Sequence, residues 1–300
     1  MKKKILIIGG TGFFGYHLSK FFKKKKYLVT SLSKNSPLKK RRLRKIKYIY
    51  ADISKQKELK MLSKKKFHYV INCGGYVDHV NKTLTFKNHY LGCKNLVNFF
   101  KNKDLKLFIQ IGSSSEYGAM KSPQPEIKLG KAKTIYGKSK LAASKFLMSN
   151  QKNIFPFVIL RFYQLFGPKQ DDNRFIPFVI KSCLEDKKFP CSKCTQFRDF
   201  LYVDDAIKAV SSCLENIENV KGKIINIGYG KPINLKKIIN YIIKKIGKGS
   251  PNYGEIKVRS DEINRLYPNL ENAKNLLKWK PTITFKTGIN RTIKYFKQNV

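Results

Sequence analysis

Acidic residues are scarce in this 300-residue chain: 19 Asp and Glu stand against 63 Lys and Arg, a formal net charge of 63 − 19 = +44. Arginine is scarce too, with nine against 54 lysines. That shortage speaks against a dedicated nucleic-acid surface. The planar guanidinium suits bidentate phosphate and base contacts, whereas the lysine ammonium is a hydrated point charge. The cations are spread along the chain, although residues 1–66 hold 22 of them against Asp52 and Glu58 alone. Abundant lysine beside much Ile, Asn, Phe and Tyr reads as a proteome-wide composition bias, and no specific nucleic-acid partner is expected. Long apolar runs are missing as well. The most apolar stretch, Phe155 to Phe166, is interrupted by Arg161 and falls short of the ~20 residues a membrane-spanning helix needs. No membrane partner is therefore expected. Met1-Lys2-Lys3-Lys4 followed by Ile5 to Ile8 mimics a signal peptide, but the apolar part is too short and no small-residue cleavage site follows. A cytoplasmic location and reduced thiols are the expectation for Cys73, Cys93, Cys183, Cys191, Cys194 and Cys213. Cys191-Ser192-Lys193-Cys194 has metal or redox spacing, yet no second pair or nearby His completes a zinc site. No metal is expected.

What is present is a core: 42% hydrophobic and 13% aromatic residues exclude a disordered chain. Short apolar runs predict strands near 4–8, 28–32, 46–50, 68–72, 106–111 and 155–161. Between them lie helical patterns near 13–25, 55–65, 83–101 and 136–149. An unbroken apolar run such as Ile5-Leu6-Ile7-Ile8 suits a strand covered on both faces. The alternation predicts an α/β fold with a Rossmann-type doubly wound parallel sheet. Beyond residue 164 the pattern loosens around Pro168, Pro177 and Pro190, and helical patterns return at 234–246 and 270–278. The expected division is a cofactor-binding domain over 1–163, rejoined by 200–230. A smaller C-terminal substrate-binding lobe would comprise 164–199 and 231–300.

Gly9-Gly10-Thr11-Gly12-Phe13-Phe14-Gly15 ends the first predicted strand and opens the first predicted helix. In such a loop Gly9 permits a tight turn, Gly12 lets backbone approach a pyrophosphate, and Gly15 allows helix to pack on strand. The helix N-terminus around Phe13 and Phe14 adds N–H donors and a positive dipole end. Dinucleotide binding is expected. The second strand ends at Ser33-Lys34, without the Asp or Glu that binds the ribose 2′-hydroxyl of NAD. A hydroxyl followed by a cation, with Arg41 or Arg42 as helpers, favours NADP(H) and leaves NAD(H) possible; the alternative for Lys34 is one surface lysine among many. Asp52-Ile53, after the third strand, is placed to meet the adenine, and Asp52 also reads as a helix cap.

Tyr136 and Lys140 stand at i and i+4, on one face of a predicted helix. A lysine ammonium beside a phenol favours the phenolate, making Tyr136 a candidate acid and base. Gly112-Ser113-Ser114-Ser115-Glu116-Tyr117-Gly118 ends the fifth predicted strand, putting hydroxyls at the carboxyl edge of the sheet, where ligands of open α/β folds bind.

Taken in order, the glycine loop, the serine-rich strand end and the Tyr-x-x-x-Lys pair resemble the extended short-chain dehydrogenase/reductase family, in its branch of nucleotide-sugar epimerases, dehydratases and reductases. The resemblance runs nearly the length of the chain. It includes Asn72-Cys73-Gly74-Gly75, Asn88, Leu91 to Leu96, Leu160 to Pro168, Arg198 to Asp205, Asn226-Ile227-Gly228 and Trp279-Lys280-Pro281. It implies that Ser113 is the active-site hydroxyl, Tyr136 the acid/base, and Lys140 the residue that orients the nicotinamide ribose. Cys73 and Gly74 stand where the family places a small pair beside the cofactor. The implied substrate is a nucleotide-diphosphate sugar, with Ser114 beside it and Arg198 on its pyrophosphate. Gln164 stands where an Asn commonly contacts the nucleotide sugar. Arg259 is either a second phosphate contact or a solvated arginine. Ser144 replaces a glutamate frequent after the Tyr-x-x-x-Lys motif. A homodimer is also implied, through helices near 83–101 and 136–149, with Leu91, Phe99 and Phe100 facing either a partner or the sheet.

The family's 4,6-dehydratases carry acids directly after the active-site hydroxyl, where this chain has Ser114 and Ser115. Glu116 comes one place later, and on an extended strand end it would face the other way. Dehydration is therefore disfavoured. The Gly-Ser-Ser-Ser-Glu-Tyr-Gly string looks closer to the family's 4-keto-6-deoxy-sugar reductases, which agrees with the NADP-like second strand. The expected reaction is NADPH-dependent reduction of a nucleotide-linked 4-keto-6-deoxyhexose. A nucleotide-sugar 4-epimerase is the alternative.

Overall fold

The computed structural model describes residues 2–76, 81–126, 130–150, 155–258 and 262–299. Ile5 to Ile8 lie at the middle of a sheet, in β1 (Lys4–Ile8). The strands that follow are β2 (Leu28–Ser33), β3 (Lys47–Tyr50), β4 (Tyr69–Asn72), β5 (Leu107–Ser113) and β6 (Phe157–Phe162). Later come β7 (Gln164–Phe166), β8 (Lys188–Cys191), β9 (Phe197–Arg198), β10 (Phe200–Tyr202) and β11 (Lys223–Ile227), then β12 (Ile233–Asn234), β13 (Ser250–Tyr253) and β14 (Arg265–Leu266). Seven strands form one parallel sheet in the order β11-β6-β5-β4-β1-β2-β3. The order reverses between β1 and β4, the switch point at which doubly wound sheets bind ligands.

The helices are α1 (Phe13–Lys24), α2 (Lys82–Phe86), α3 (Gly92–Phe100), α4 (Ile135–Ser149) and α5 (Phe175–Leu184), then α6 (Val203–Glu215), α7 (Ile217–Val220), α8 (Leu235–Ile246), α9 (Glu271–Leu277) and α10 (Phe285–Lys297). Pleating divides the apolar strands between two cores. Ile5, Ile7, Ile71 and Ile109 pack on the face covered by Leu18 and Phe22 of α1 and Ala206 and Val210 of α6. Leu6, Ile8, Val70 and Phe108 pack on the face covered by Leu96 and Phe100 of α3 and Ala143 and Leu147 of α4. The unbroken apolar pattern follows from this double coverage. Phe100 thereby faces the sheet. The first core continues into α5, α8 and α10 through Ile176, Ile180, Ile238, Ile242, Ile289 and Ile293.

Three expectations need revision. The predicted helix at 55–65 is a 3₁₀ stretch, Gln56–Leu62; its buried residues, Leu59 and Leu62, are three apart, the repeat of a three-residue turn. The predicted helix at 83–101 is interrupted by a π-turn, Lys87–Leu91. Ser114–Tyr117 is a 3₁₀ turn rather than extended chain, so Glu116 faces inward by turning back under Ser113. No helix among the described residues is long and apolar enough to cross a membrane.

The motif residues after β10 tie the C-terminus down. Asp205, fully buried in α6, accepts hydrogen bonds from the Thr282 amide (2.8 Å), the Thr282 hydroxyl (2.8 Å) and the Ile283 amide (2.6 Å). Its carbonyl accepts from the Trp279 indole at 3.1 Å. Replacing Asp205 with Ala removes three hydrogen bonds to a fully buried carboxylate and is expected to cost roughly 3 kcal/mol of stability. Urea unfolding measures this; a loss below about 1 kcal/mol contradicts the anchoring role.

Candidate functional site

The glycine turn opens a cleft of about 1330 Å³ at the carboxyl edge of the sheet. Gly9 sits at φ +72°, a conformation that disfavours any side chain, and a Cβ on Gly15 would lie 2.2 Å from the Gly9 carbonyl oxygen. Turn and helix packing thus each need glycine. Gly12 is the N-cap of α1 with no side chain capping it, and the first turn holds no acid. Its amide donors and positive dipole end therefore serve the cleft bordered by Gly12, Phe13 and Phe14. A Cβ on Gly12 would meet only the Gly9 carbonyl oxygen within 4 Å, at 3.3 Å, and otherwise stand in open space. Bare backbone and uncapped amides at one point fit a pyrophosphate.

Ser113, Ser114, Tyr136 and Lys140 border the same cleft, as do Gly9, Gly15, Cys73 and Gln164. Thr134 starts α4 by accepting from the Gly137 amide at 3.1 Å, a cap that sets the helix entry two residues before Tyr136. Lys140, buried one turn later, donates to the Ile111 carbonyl at 2.7 Å. Its Nζ lies 5.9 Å from the Tyr136 ring centre. His89, on the π-turn, meets the Tyr136 ring edge-on, with centroids 5.1 Å apart. The sequence reading missed His89, because a single histidine within a helical pattern carries no signal that a π-turn will aim it at the site.

Beneath Ser113 lies a buried charge pair. The Glu116 carboxylate accepts from the Ser113 amide (2.8 Å), the Ser144 hydroxyl (2.7 Å) and Nε of Arg161 (2.9 Å). Both charged side chains are 0% exposed. The Arg161 guanidinium also stacks 4.4 Å from the centre of the Tyr117 ring. Burial disfavours its charge, but Glu116 and Tyr117 more than offset this and hold its pKa above the ordinary value.

Ser33, Lys34, Asp52, Ile53, Gly74 and Arg198 are not among the residues that border the cleft. The Ser33 hydroxyl accepts from the Thr11 amide at 3.2 Å. Lys34 is 64% exposed, and its Nζ lies 3.5 Å from Asp52. Asp52 accepts from the Ser54 amide (2.9 Å) and hydroxyl (2.7 Å). Burial raises its pKa, but the Ser54 bonds and Lys34 overcome this and hold it below the usual carboxylate range. Ile53 and Gly74 pack together. Arg41 borders the cleft, yet its guanidinium donates to the Lys169 carbonyl and to Asp171 at 2.8 Å. Arg198 is buried and pairs with Glu262. Arg259 lies outside the described residues. Asp199 accepts from the Tyr229 and Gly230 amides at 2.7 and 2.6 Å; burial pushes its carboxyl up to about 7 despite those bonds. The six cysteines are free, and among the described residues no cluster of His, Cys, Asp or Glu is placed to hold a metal.

The chain matches the model of the NAD dependent epimerase/dehydratase family over residues 5–228. It is 36% identical to the CDP-abequose synthase of Salmonella typhimurium over 145 residues, 46% of this chain and 48% of that protein. It is 26% identical to the UDP-glucuronate 4-epimerase of Thermodesulfobacterium geofontis over 214 residues, 70% of this chain and 65% of that protein. These matches span about half to two-thirds of the relatives' lengths. Among solved structures, UDP-glucuronic acid 4-epimerase from Bacillus cereus, in complex with UDP-glucuronic acid and NAD, has TM-score 0.89 at 27% identity, covering 99% of this chain and 100% of that one. UDP-glucose 4-epimerase from Thermotoga maritima has TM-score 0.91 at 19% identity, covering 99% of both, a likeness of fold.

The Gly12 cradle can be tested directly. Gly12→Ala should change stability by no more than about 1 kcal/mol while weakening NADPH and NADH binding about tenfold or more. Fluorescence titration of the reduced cofactor reads both constants; unchanged affinity removes Gly12 from the site.

Proposed function

This chain belongs to the NAD-dependent epimerase/dehydratase family, in the nucleotide-sugar branch of the extended short-chain dehydrogenases/reductases, and we propose that it reduces the 4-keto group of a nucleotide-linked 4-keto-6-deoxyhexose with NADPH. The product would enter deoxysugar biosynthesis for surface polysaccharide. The observation that carries this reading is the placement of Glu116. It is the one acid in the serine-rich segment, and Ser113, Ser144 and Arg161 occupy it inside the protein. Removing water across a C–C bond needs an acid and a base beside the sugar, and Ser113 to Ser115 offer hydroxyls to the cleft. Among the described residues, the carboxylates that border the cleft are Asp171 and Asp172, and they lie among the cations Arg41, Lys40 and Lys181. A carbonyl reduction needs no such acid pair.

The cleft's ≈ 1330 Å³ exceeds the ~300–1,000 Å³ of a single-ligand pocket and suits a dinucleotide beside a nucleotide sugar. Bound NADPH supplies the hydride. Gly9, Gly12 and the first turn of α1 hold its pyrophosphate, and Lys140 orients its ribose while fixed to the Ile111 carbonyl. The Ser113 hydroxyl hydrogen-bonds the substrate oxygen as negative charge develops. Tyr136 delivers the proton to that oxygen. Gln164, exposed on the cleft wall, faces the sugar nucleotide. Arg198 holds a diphosphate by exchanging Glu262 for it. The similarity to a CDP-abequose synthase supports a nucleotide-sugar substrate, and the end of β2, which lacks an acid, supports NADPH. A second reading, an NAD(P)-dependent nucleotide-sugar 4-epimerase, is favoured by the likeness to UDP-glucuronate 4-epimerases.

A spectrophotometric screen of nucleotide-linked 4-keto-6-deoxyhexoses with NADPH and NADH, run beside nucleotide hexoses bearing a C4 hydroxyl whose products are resolved by chromatography, separates the two. Substrate-dependent loss of NADPH is expected; sugar interconversion with no net cofactor use would select the epimerase instead. In the same assay Tyr136→Phe should lower kcat by roughly 10²–10⁴-fold with NADPH affinity little changed. Full turnover in that variant would sink the mechanism.

A further inference from the structure

We infer that Glu116 is the positioning residue of the catalytic edge, its buried carboxylate locking Ser113, helix α4 and strand β6 into one register. The inference rests on the functional reading above for the roles of Ser113, Tyr136 and Lys140, and deepens it. The two carboxylate oxygens are divided between three chain segments. Oε1 accepts from the Ser113 amide at 2.8 Å, and Oε2 accepts from Ser144 on α4 at 2.7 Å and from Arg161 on β6 at 2.9 Å.

Ser144 follows Lys140 by four residues and Tyr136 by eight, so the three lie on one face of α4. A tie at Ser144 therefore fixes the rotation of α4 about its axis, and with it the direction of Tyr136. Lys140 adds a second tie, to the Ile111 carbonyl two residues before Ser113. The strand end and the helix that carry the reacting groups are thus joined at two points, and Glu116 supplies the one that also holds Ser113.

Arg161 keeps this carboxylate in place. It is fully buried, its two terminal nitrogens have no hydrogen-bond partner, and among the described residues Glu116 is the carboxylate that pairs with it. Removing either charge leaves the other uncompensated in a dry interior. A pair serving stability alone could be replaced by apolar side chains of similar volume. Here a carboxylate is needed, because three donors converge on it and one is the backbone of Ser113.

The test uses the whole chain in three forms: Glu116→Gln, Ser144→Ala, and the double variant Glu116→Ala with Ser144→Glu, which returns a carboxylate to Arg161 from the helix side. Amide hydrogen exchange over 107–118 and 135–149 is compared with the other peptides. NADPH binding, kcat and KM are measured on a nucleotide sugar that the wild type turns over. Glu116→Gln should speed exchange in those two segments about tenfold and lower kcat about 100-fold, leaving KM and cofactor affinity within about threefold. Ser144→Ala, which keeps the Glu116–Arg161 pair, should lower kcat about tenfold. The double variant should regain at least half of the lost exchange protection, on a logarithmic scale, and about tenfold in kcat over Glu116→Gln.

Wild-type kcat in either single variant overturns the inference, as does a kcat loss matched by an equal loss of cofactor binding and of protection everywhere. Should the wild type turn over no nucleotide sugar, the functional reading fails by itself. The exchange comparison then still decides the positioning role, and unchanged protection at 107–118 and 135–149 overturns it.

Discussion

All seven strands of the central sheet run in one direction, and a parallel sheet delivers every strand-to-helix connection to the same edge. The glycine turn after β1, Cys73 after β4 and Ser113 at the end of β5 therefore meet in one cleft, though they are far apart in sequence. Parallel strands also need crossovers on both faces. This is why β1, β4, β5 and β6 are buried along nearly their whole length, with alternate apolar residues in separate cores. Because β1 and β4 are neighbours at the point where the strand order reverses, their outgoing loops diverge. The space between those loops is the floor of the site.

Such an edge assembles residues but does not orient them. Orientation comes from polar contacts under the cleft, and these are costly if incomplete. The Thr134 cap and the Lys140 bond to Ile111 set α4 in place. A further buried network links Tyr117 to Asn226 at 2.8 Å, and Asn226 to the Gln124 carbonyl at 2.8 Å. The Tyr163 hydroxyl donates to the Gln124 side chain at 2.7 Å. Tyr117 and Tyr163 both lie away from water, and burial raises both phenol pKa values. They serve as neutral donors, whereas Tyr136 borders the cleft beside Lys140 and Ser113.

How much was legible in the sequence depended on how local the cause was. Strands β1, β2, β4 and β5 begin or end within about two residues of their predicted bounds, because continuous apolar runs flanked by lysine or glycine mark them. The glycine turn and the Tyr136/Lys140 spacing were legible because close approach and helical periodicity impose fixed spacings. Helix α5 was obscured by Pro177, which falls in its first turn, where a missing amide costs nothing. Helix α10 was obscured by Gly288 and Thr292 between its buried Ile289, Ile293 and Phe296, since both are weak helix formers. The places of His89 and Glu116 were not legible for a shared reason. Their directions follow from a π-turn and a 3₁₀ turn that tertiary contacts stabilise and local periodicity does not encode.

The net charge of +44 takes on a different weight in this geometry. A cationic chain draws anionic cofactors and substrates from a distance, but surface lysines beyond about 10 Å are screened at moderate salt. Of the cations that border the cleft, Arg41 is engaged by Asp171 and Lys40 by Asp172, which also pairs with Lys181. Asp171 and Asp172 are thus spent holding basic residues at the mouth of the site. In the proposed reaction, bulk charge raises the encounter rate of any polyphosphate, and donors fixed in direction, namely the α1 amides, Ser113, Tyr136 and Lys140, orient the one that binds.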